Sequence, residues 1–379
     1  MIALSAMDFR APGATQARQA NFLRALASQG AEVALINPAR RPPPDLGFPV
    51  VGLPAFARRL PWRLALAICV MPLLISQLRR ARQDLLVFST DPQLLLQCLV
   101  VARLFRVRIL HEITEYPSEV LPCSLYGRFS LWFWEKVFVR AVDRQVVISR
   151  ALRAYVEALN PHAAILTIPA TTVFGAREEW EPRGGPFTFV YTGSLNERKD
   201  GVLSLVAAFR RLFEIYPDSQ LDMYGHGYPH EAEAVREMID GQGLAGIVRL
   251  HAAIPSSEVP AVLHGASALV LCRPSSKQAT GGFPTKLAEY LAAGRPVVVT
   301  QTGDIGLYLE DGVSAYLVPP DSVEAFAEGM RRVVDDPAQA ERIGRVGWEV
   351  GRRHMDVEAA ARRFLAWIGA PDAAGPVGR

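Results

Sequence analysis

Three observations predict an α/β protein made of two Rossmann-like domains facing a cleft. Short β-forming runs alternate with helical patterns from one end of the chain to the other, the sequence signature of parallel sheets covered by helices. A charged stretch rich in Gly and Pro, residues 175–186, divides that alternation in two. With 379 residues, 50% of them hydrophobic, the chain is long enough to give each half its own core.

The strands of the first half are expected at 33–36, 85–88, 107–110, 145–148 and 165–168, after a first strand that precedes the Gly13 loop. Those of the second half fall at 188–191, 220–223, 248–250, 268–271, 297–300 and 315–318. The expected organisation is a first domain over 1–175, a linker over 176–186 and a second domain over 187–350. A helix is expected over 351–369, its core at 353–367, and a tail over 370–379 has almost nothing to bury. No internal repeat is visible.

Lys and Arg number 41 against 38 Asp and Glu, so global charge gives no reason to expect nucleic acid as a partner. The basic residues are nevertheless clustered. Arg58, Arg59, Arg63, Arg79, Arg80 and Arg82 bracket an apolar run at 64–75, and Arg103, Arg106 and Arg108 follow a second run. The first run contains Pro72 and falls short of the roughly 20 apolar residues a membrane span needs. It is expected either to lie in a membrane interface or to pack inside an α/β domain, and so is the 125–140 segment, which sets three Phe and two Trp among basic residues. Cys69, Cys98, Cys123 and Cys272 show no paired spacing, so neither a disulfide framework nor a metal site is implied. The first seven residues are too short for a signal peptide, and a cytoplasmic setting is expected.

The most informative stretch is 283–300. Pro284 suits the first position of a helix and Gly294 the left-handed residue beyond its end, which predicts a helix over 284–293 followed by a buried strand. The free backbone donors at its start, with Thr285 and Lys286 beside them, suit a diphosphate. Glu289 lies just over one turn inside, and its side chain leans back toward the N-terminus, where it would accept hydrogen bonds from a ribose diol. The plainer reading, Lys286 and Glu289 paired on a solvated face, is outweighed by the Gly281-Gly282-Phe283-Pro284 loop on one side and four β-formers on the other. Upstream, a strand leads into Gly193 and then to Arg198 and Lys199 before a helix, and the next strand leads into Gly225. His226 and Tyr228 are either neighbours of a base or parts of a turn. In the first half, His111, Glu112 and Glu115 follow a predicted strand, where a histidine with two carboxylates close behind it favours a site over a structural role. No Gly-x-Gly-x-x-Gly opens a helix and no Gly-x-x-x-x-Gly-Lys occurs, which removes the dinucleotide dehydrogenases and the P-loop nucleotidases.

The segment Glu289-Tyr-Leu-Ala-Ala-Gly-Arg-Pro-Val297 resembles the closing motif of the retaining glycosyltransferases of family 4, and the likeness extends over about 187–345 and is diffuse before it. That resemblance implies the GT-B architecture, with 1–175 as the acceptor-side domain and the 351–369 helix returning to it. It also implies transfer of a sugar, a hexose by type, from a UDP- or GDP-sugar to a hydroxyl of a saccharide acceptor, with retention by front-face attack. The donor side would comprise Gly193, Arg198, Lys199, Gly225, Gly282, Phe283, Pro284, Thr285, Lys286 and Glu289. His111 is the positional counterpart of a family histidine near the reacting carbon; Glu112 or Glu115 would orient or deprotonate the acceptor, and Gly13 would lie on the acceptor-side loop. Two positions depart from the family: Gly281 stands where a first glutamate is usual, as in a subgroup reading Pro-Thr-Lys, and Ser194 stands where an arginine is usual, for which Arg198 would compensate. No resident cofactor is expected, and no metal, since no Asp-x-Asp occurs. The expected partners are the nucleotide sugar and a lipid-linked saccharide at the inner face of the plasma membrane, as in polysaccharide biosynthesis, with a soluble acceptor as the alternative. A nucleotide-sugar-binding subunit of degenerate activity and a nucleotide-sugar epimerase share the fold and remain as rival readings.

Overall fold

The computed structural model describes residues 1–10, 13–41, 45–81, 83–177 and 185–370. Most of the expected linker (178–184), nearly all of the expected tail (371–379), Arg82 and the two residues before Gly13 lie outside the described residues. The chain forms two compact units, one containing Thr15–Pro169 and the helix that starts at Val357, the other containing Ala170–Asp356.

The first unit is built on seven parallel strands: β1 (Ile2–Leu4), β2 (Ala34–Asn37), β3 (Val50–Gly52), β4 (Leu85–Val87), β5 (Ile109–Ile113), β6 (Arg144–Val147) and β7 (Ala164–Thr167). Their order is β3-β2-β1-β4-β5-β6-β7, so the winding direction reverses between β1 and β4. Right-handed crossovers then place the helix Ala14–Ser28, which links β1 to β2, on the opposite face from the helices that follow β3 and β4. On the first face, Phe22 meets Phe364 of the Val357–Gly369 helix edge-on, ring centres 5.3 Å apart. On the other face lie the helices Trp62–Arg80, Pro92–Phe105 and Leu125–Phe133, the last continuing as a π-helical turn through Phe138. Asp91 caps the second of these by accepting from the Gln93 and Leu94 amides, with Pro92 at its first position.

Three expectations change. The short strand β3 was not anticipated, because three half-buried residues at a sheet edge carry no pattern. The apolar run near residue 70 belongs to a 19-residue helix, longer than the run itself, whose Ala65, Leu66, Cys69, Val70, Leu74 and Leu78 are buried in the unit. The expected 353–367 helix is divided at Asp356, which is extended (φ −68°, ψ 128°), into the helices Pro337–Met355 and Val357–Gly369.

The second unit has six parallel strands: β8 (Phe187–Ser194), β9 (Ser219–His226), β10 (Val248–His251), β11 (Ala268–Leu271), β12 (Val297–Thr300) and β13 (Tyr316–Val318). Their order is β10-β9-β8-β11-β12-β13, with the reversal between β8 and β11. Strands β11 and β12 are wholly buried, which is why they read as continuous β-branched and leucine runs instead of alternating ones. Near the carboxyl ends of β8 and β9, Gly193 and Gly225 are each the last strand residue but one, and they pair in register.

Candidate functional site

In the second unit the helix predicted from the 283–300 motif runs Thr285–Ala292, with extended Pro284 (ψ 117°) as its N-cap instead of its first helical residue, and left-handed Gly294 (φ 68°) just after its end. Its inner face holds Leu287, Ala288, Tyr290 and Leu291 in the core. The Tyr290 hydroxyl accepts from the Thr192 amide at 2.8 Å, fixing the helix against the end of β8. Lys286 and Glu289, three residues apart, emerge on the neighbouring face.

Gly193 makes that approach possible. Its φ of +150° suits glycine, and a Cβ there would lie 2.1 Å from both Cε and Nζ of Lys286. Gly225 has a similar reason, since its Cβ would fall 2.3 Å from the Gly193 carbonyl oxygen. The Lys286 ammonium donates to the Tyr191 hydroxyl at 3.0 Å, lies 4.8 Å from the centre of that ring, and forms an ion pair with Asp200. Asp200 also accepts from the Ser194 hydroxyl at 2.7 Å and from Tyr191 at 3.2 Å. Burial pushes the Asp200 carboxyl up, but Lys286, Ser194 and Arg273 together outweigh it and hold the group below its ordinary value. Burial also pulls the Lys286 ammonium below its ordinary value, against the pull of Asp200; the direct contact between the two groups favours the charged pair, in which Lys286 is partly neutralised from within the protein.

Glu289 is in the opposite condition. Burial raises its carboxyl to about 7, against an opposing pull from Lys286. No hydrogen bond to its side chain is found among the described residues. It lines a pocket with Thr192, Gly193, Tyr224, Gly225, Lys286 and the Ala253–Ser256 loop. Tyr224 is stacked on His251 across the sheet, ring centres 4.3 Å apart. This is an open acceptor in a cavity that a cation and apolar and aromatic groups also line.

The other predicted donor-side residues divide. Lys199 lies in the short helix Glu197–Asp200, held by the Asn196 side chain, which accepts from the Lys199 amide at 2.9 Å; Arg198 is exposed beside it. Thr285 is half-buried at the helix start. Gly282 and Pro284 are buried, and Phe283 points into the core, edge-on to Tyr308 with ring centres 5.5 Å apart, so none of the three faces the pocket. Their part is to set the loop from which Lys286 and Glu289 project. Sequence reasoning missed Arg273 and the 253–256 loop. The loop has a readable signal, since it lies just past the carboxyl end of β10; buried Arg273, which bears on both Asp200 and Lys286, has none.

In the first unit the expected catalytic trio is not a solvent-facing cluster. Strand β5 runs on to Ile113, which carries His111 into the core. There its ring meets Phe138 edge-on at 5.0 Å, with Nδ1 3.2 Å from the Gln145 side-chain oxygen and Nε2 3.2 Å from the Ser89 carbonyl. Burial lowers its pKa to about 4, so it is neutral near pH 7, and its place inside β5 corrects the expectation that it follows the strand on an open loop. Glu112 is gripped by both terminal nitrogens of Arg18, at 2.8 and 3.0 Å, with each side chain about 5% exposed. A carboxylate so held is a poor general base; it positions the helix after Gly13 against β5. Glu115 lies on the loop beyond β5, half-buried.

Comparison with known proteins agrees with the fold of the two units. Residues 186–336 match the family model described as "Glycosyl transferases group 1", and residues 13–171 the one described as "Glycosyl transferase 4-like domain". Glycogen synthase of Mycobacterium tuberculosis is 29% identical over 215 residues, covering 56% of this chain and 50% of that one, so the match spans about half the length of that relative. Phosphatidyl-myo-inositol mannosyltransferase of Mycobacterium leprae is 26% identical over 360 residues, 92% of this chain and 90% of that one. The crystal structure of Anabaena HepE in complex with UDP-glucose superposes with a TM-score of 0.71 over 97% of this chain and 98% of that one, at 12% identity.

Proposed function

The chain belongs to the GT-B glycosyltransferases, and on that premise we propose that it transfers a hexosyl unit from a nucleotide-diphosphate sugar to a hydroxyl of a saccharide acceptor. The observation that carries this reading is the pocket of the second unit, where Glu289, without a hydrogen-bond partner among the described residues, and Lys286, beneath Gly193, line one cavity. The Glu289 carboxylate takes the ribose diol. The diphosphate lies over Gly193, met by Lys286 and by Arg198 and Lys199 on the adjoining short helix. The base lies toward Tyr224 and the 253–256 loop. UDP is the favoured nucleotide, by analogy with the structural neighbour that holds UDP-glucose.

A unit charge pair at 4 Å contributes about 4 kcal/mol at an effective dielectric near 20, so these cations are enough to hold the leaving diphosphate, and we take the transfer to be metal-independent. Retention, with the leaving phosphate accepting the acceptor proton, is part of the same reading, and it suits a first unit whose Glu112 is committed to Arg18. The acceptor is taken to be lipid-linked, at the inner face of the plasma membrane, in line with a relative named for mannosyl transfer to phosphatidyl-myo-inositol.

Calorimetric titration with UDP, GDP and their glucose and mannose derivatives tests the donor half. Saturable binding of one pair, lost in Glu289→Ala, is expected; equal affinity in wild type and variant would refute the site. Incubation of the bound donor with chelator and a lipid-linked acceptor should give an α-linked product from an α-donor. Donor isomerisation without any acceptor would favour the epimerase reading instead.

A further inference from the structure

Among the described residues fifteen large hydrophobic side chains are exposed, and ten of them lie between Phe56 and Trp132. Eight of those ten fall on three helices. On Trp62–Arg80 the outward positions are Leu64 and Ile68, with Pro72 one turn on; on Pro92–Phe105 they are Leu96, Val100 and Leu104; on Leu125–Phe133 they are Leu125, Phe129 and Trp132. The spacings of four, four and three residues keep each set on one stripe. A helix on the surface of a water-soluble domain turns such a stripe inward. Here each helix buries one apolar face and shows another, with Leu104 69%, Leu125 83% and Trp132 52% exposed.

The three stripes belong to one layer of the first unit. Gln97 donates to the Leu66 carbonyl and Gln93 to the Arg63 carbonyl, tying the first two helices together. The Arg63 guanidinium lies 3.8 Å over the Tyr126 ring, and the Tyr126 hydroxyl donates to Asp91, the cap of the middle helix, at 2.7 Å. Charge follows the same layer. Residues 56–140 hold twelve Lys and Arg against six Asp and Glu, whereas the whole chain is only +3. Arg63, Arg79, Arg80, Arg103 and Arg128 are exposed among the apolar groups. Four of the six acids are engaged elsewhere: Asp84 with Arg108, Asp91 with Tyr126, Glu112 with Arg18 and Glu135 with Tyr155.

We propose that this three-helix face docks on the surface of an anionic lipid bilayer, with Phe129, Trp132 and Leu104 entering the headgroup boundary and the arginines meeting lipid phosphates. The charge selects this occupant. A second copy of the chain would bring an identical basic face and be repelled, whereas anionic headgroups complement both the apolar stripes and the arginines. The buried face of Trp62–Arg80 stays on its neighbours, so the helix lies along the membrane and does not cross it. The inference deepens the functional reading by naming the surface that would present a lipid-linked acceptor, and it rests on that reading for the acceptor alone.

Co-sedimentation of the full chain with phosphatidylcholine vesicles, with and without phosphatidylglycerol, tests it in the absence of any sugar nucleotide, so a failed donor assay leaves the result standing. Wild type should pellet with the anionic vesicles and bind on the order of tenfold more weakly to neutral ones. Phe129→Glu/Trp132→Glu and Leu104→Glu should each weaken anionic binding on the order of tenfold, while Ile215→Glu, an exposed apolar site in the other unit, should not. Should the double variant misfold by circular dichroism, Leu104→Glu and quenching of wild-type tryptophan fluorescence by brominated lipid decide the matter. The proposal is overturned if wild type stays in the supernatant, if the folded variants pellet like wild type, if brominated lipid does not quench, or if the same substitutions instead dissolve a lipid-free dimer.

Discussion

Replacing Lys286 separates two tasks that its ammonium combines. It neutralises Asp200, whose side chain is only 2% exposed, and it stands beneath Gly193 where the diphosphate is placed. Loss of a charged hydrogen bond to the phosphate costs about 1.5 to 3 kcal/mol, which is on the order of ten- to a hundredfold in Kd. Lys286→Met alone also strands a buried carboxylate, a change that costs about 3 to 5 kcal/mol when one partner of a buried pair is removed. The double variant Lys286→Met/Asp200→Asn removes both charges, so it should regain most of the thermal stability of the wild type while its UDP affinity stays at the single-variant level. Since Asp200 is held below its ordinary value, the pair's stabilisation is present above about pH 4 and is lost as pH falls through the depressed folded value. The double variant should lack that acid-side loss. Scanning calorimetry with and without UDP, alongside isothermal titration, reads both quantities. A folded double variant that binds UDP as tightly as wild type would show that Lys286 serves Asp200 only, and the phosphate assignment would fall.

Because the Glu289 carboxyl is raised to about 7, UDP affinity should improve about tenfold between pH 6 and pH 8 as the acceptor ionises, and Glu289→Gln should flatten the profile; a wild-type Kd that is level with pH would count against the ribose contact. Gly193→Ala should displace the Lys286 ammonium and lower nucleotide affinity at least as far as Lys286→Met does, and unchanged titration would show that the loop yields without cost. His111 has a folded pKa of about 4 against 6.5 when unfolded, so the folded state binds fewer protons in that window and stability falls as pH drops through it, by about 2 kcal/mol at pH 5. Urea titrations at both pH values should show that slope in wild type and lose it in His111→Gln; equal slopes would contradict a buried neutral imidazole.

What the sequence disclosed and what it withheld follow from the range of the interactions. The 283–300 segment was legible because its signals are local: a proline before a helix, a glycine after it, and a carboxylate one turn in, all resolved within a dozen residues. Asp200 and Tyr191 were not, since they lie 86 and 95 residues from Lys286 and meet it only when β8 and the following short helix stand beside the Thr285 helix. His111 was misplaced for a different reason. Strand β5 is buried on both faces, so no alternation marks where it ends, and a polar residue past the last apolar one looked like a loop. The same packing explains how the departure from the family pattern at Ser194 is accommodated. With a small serine at 194, its hydroxyl is free to donate to Asp200, and the Lys286 ammonium takes the adjoining space under Gly193; an arginine at 194 would compete for that one buried carboxylate. Ser194 and Lys286 are thus two parts of one arrangement in which the cation comes to the proposed phosphate position from the helix side instead of from the loop.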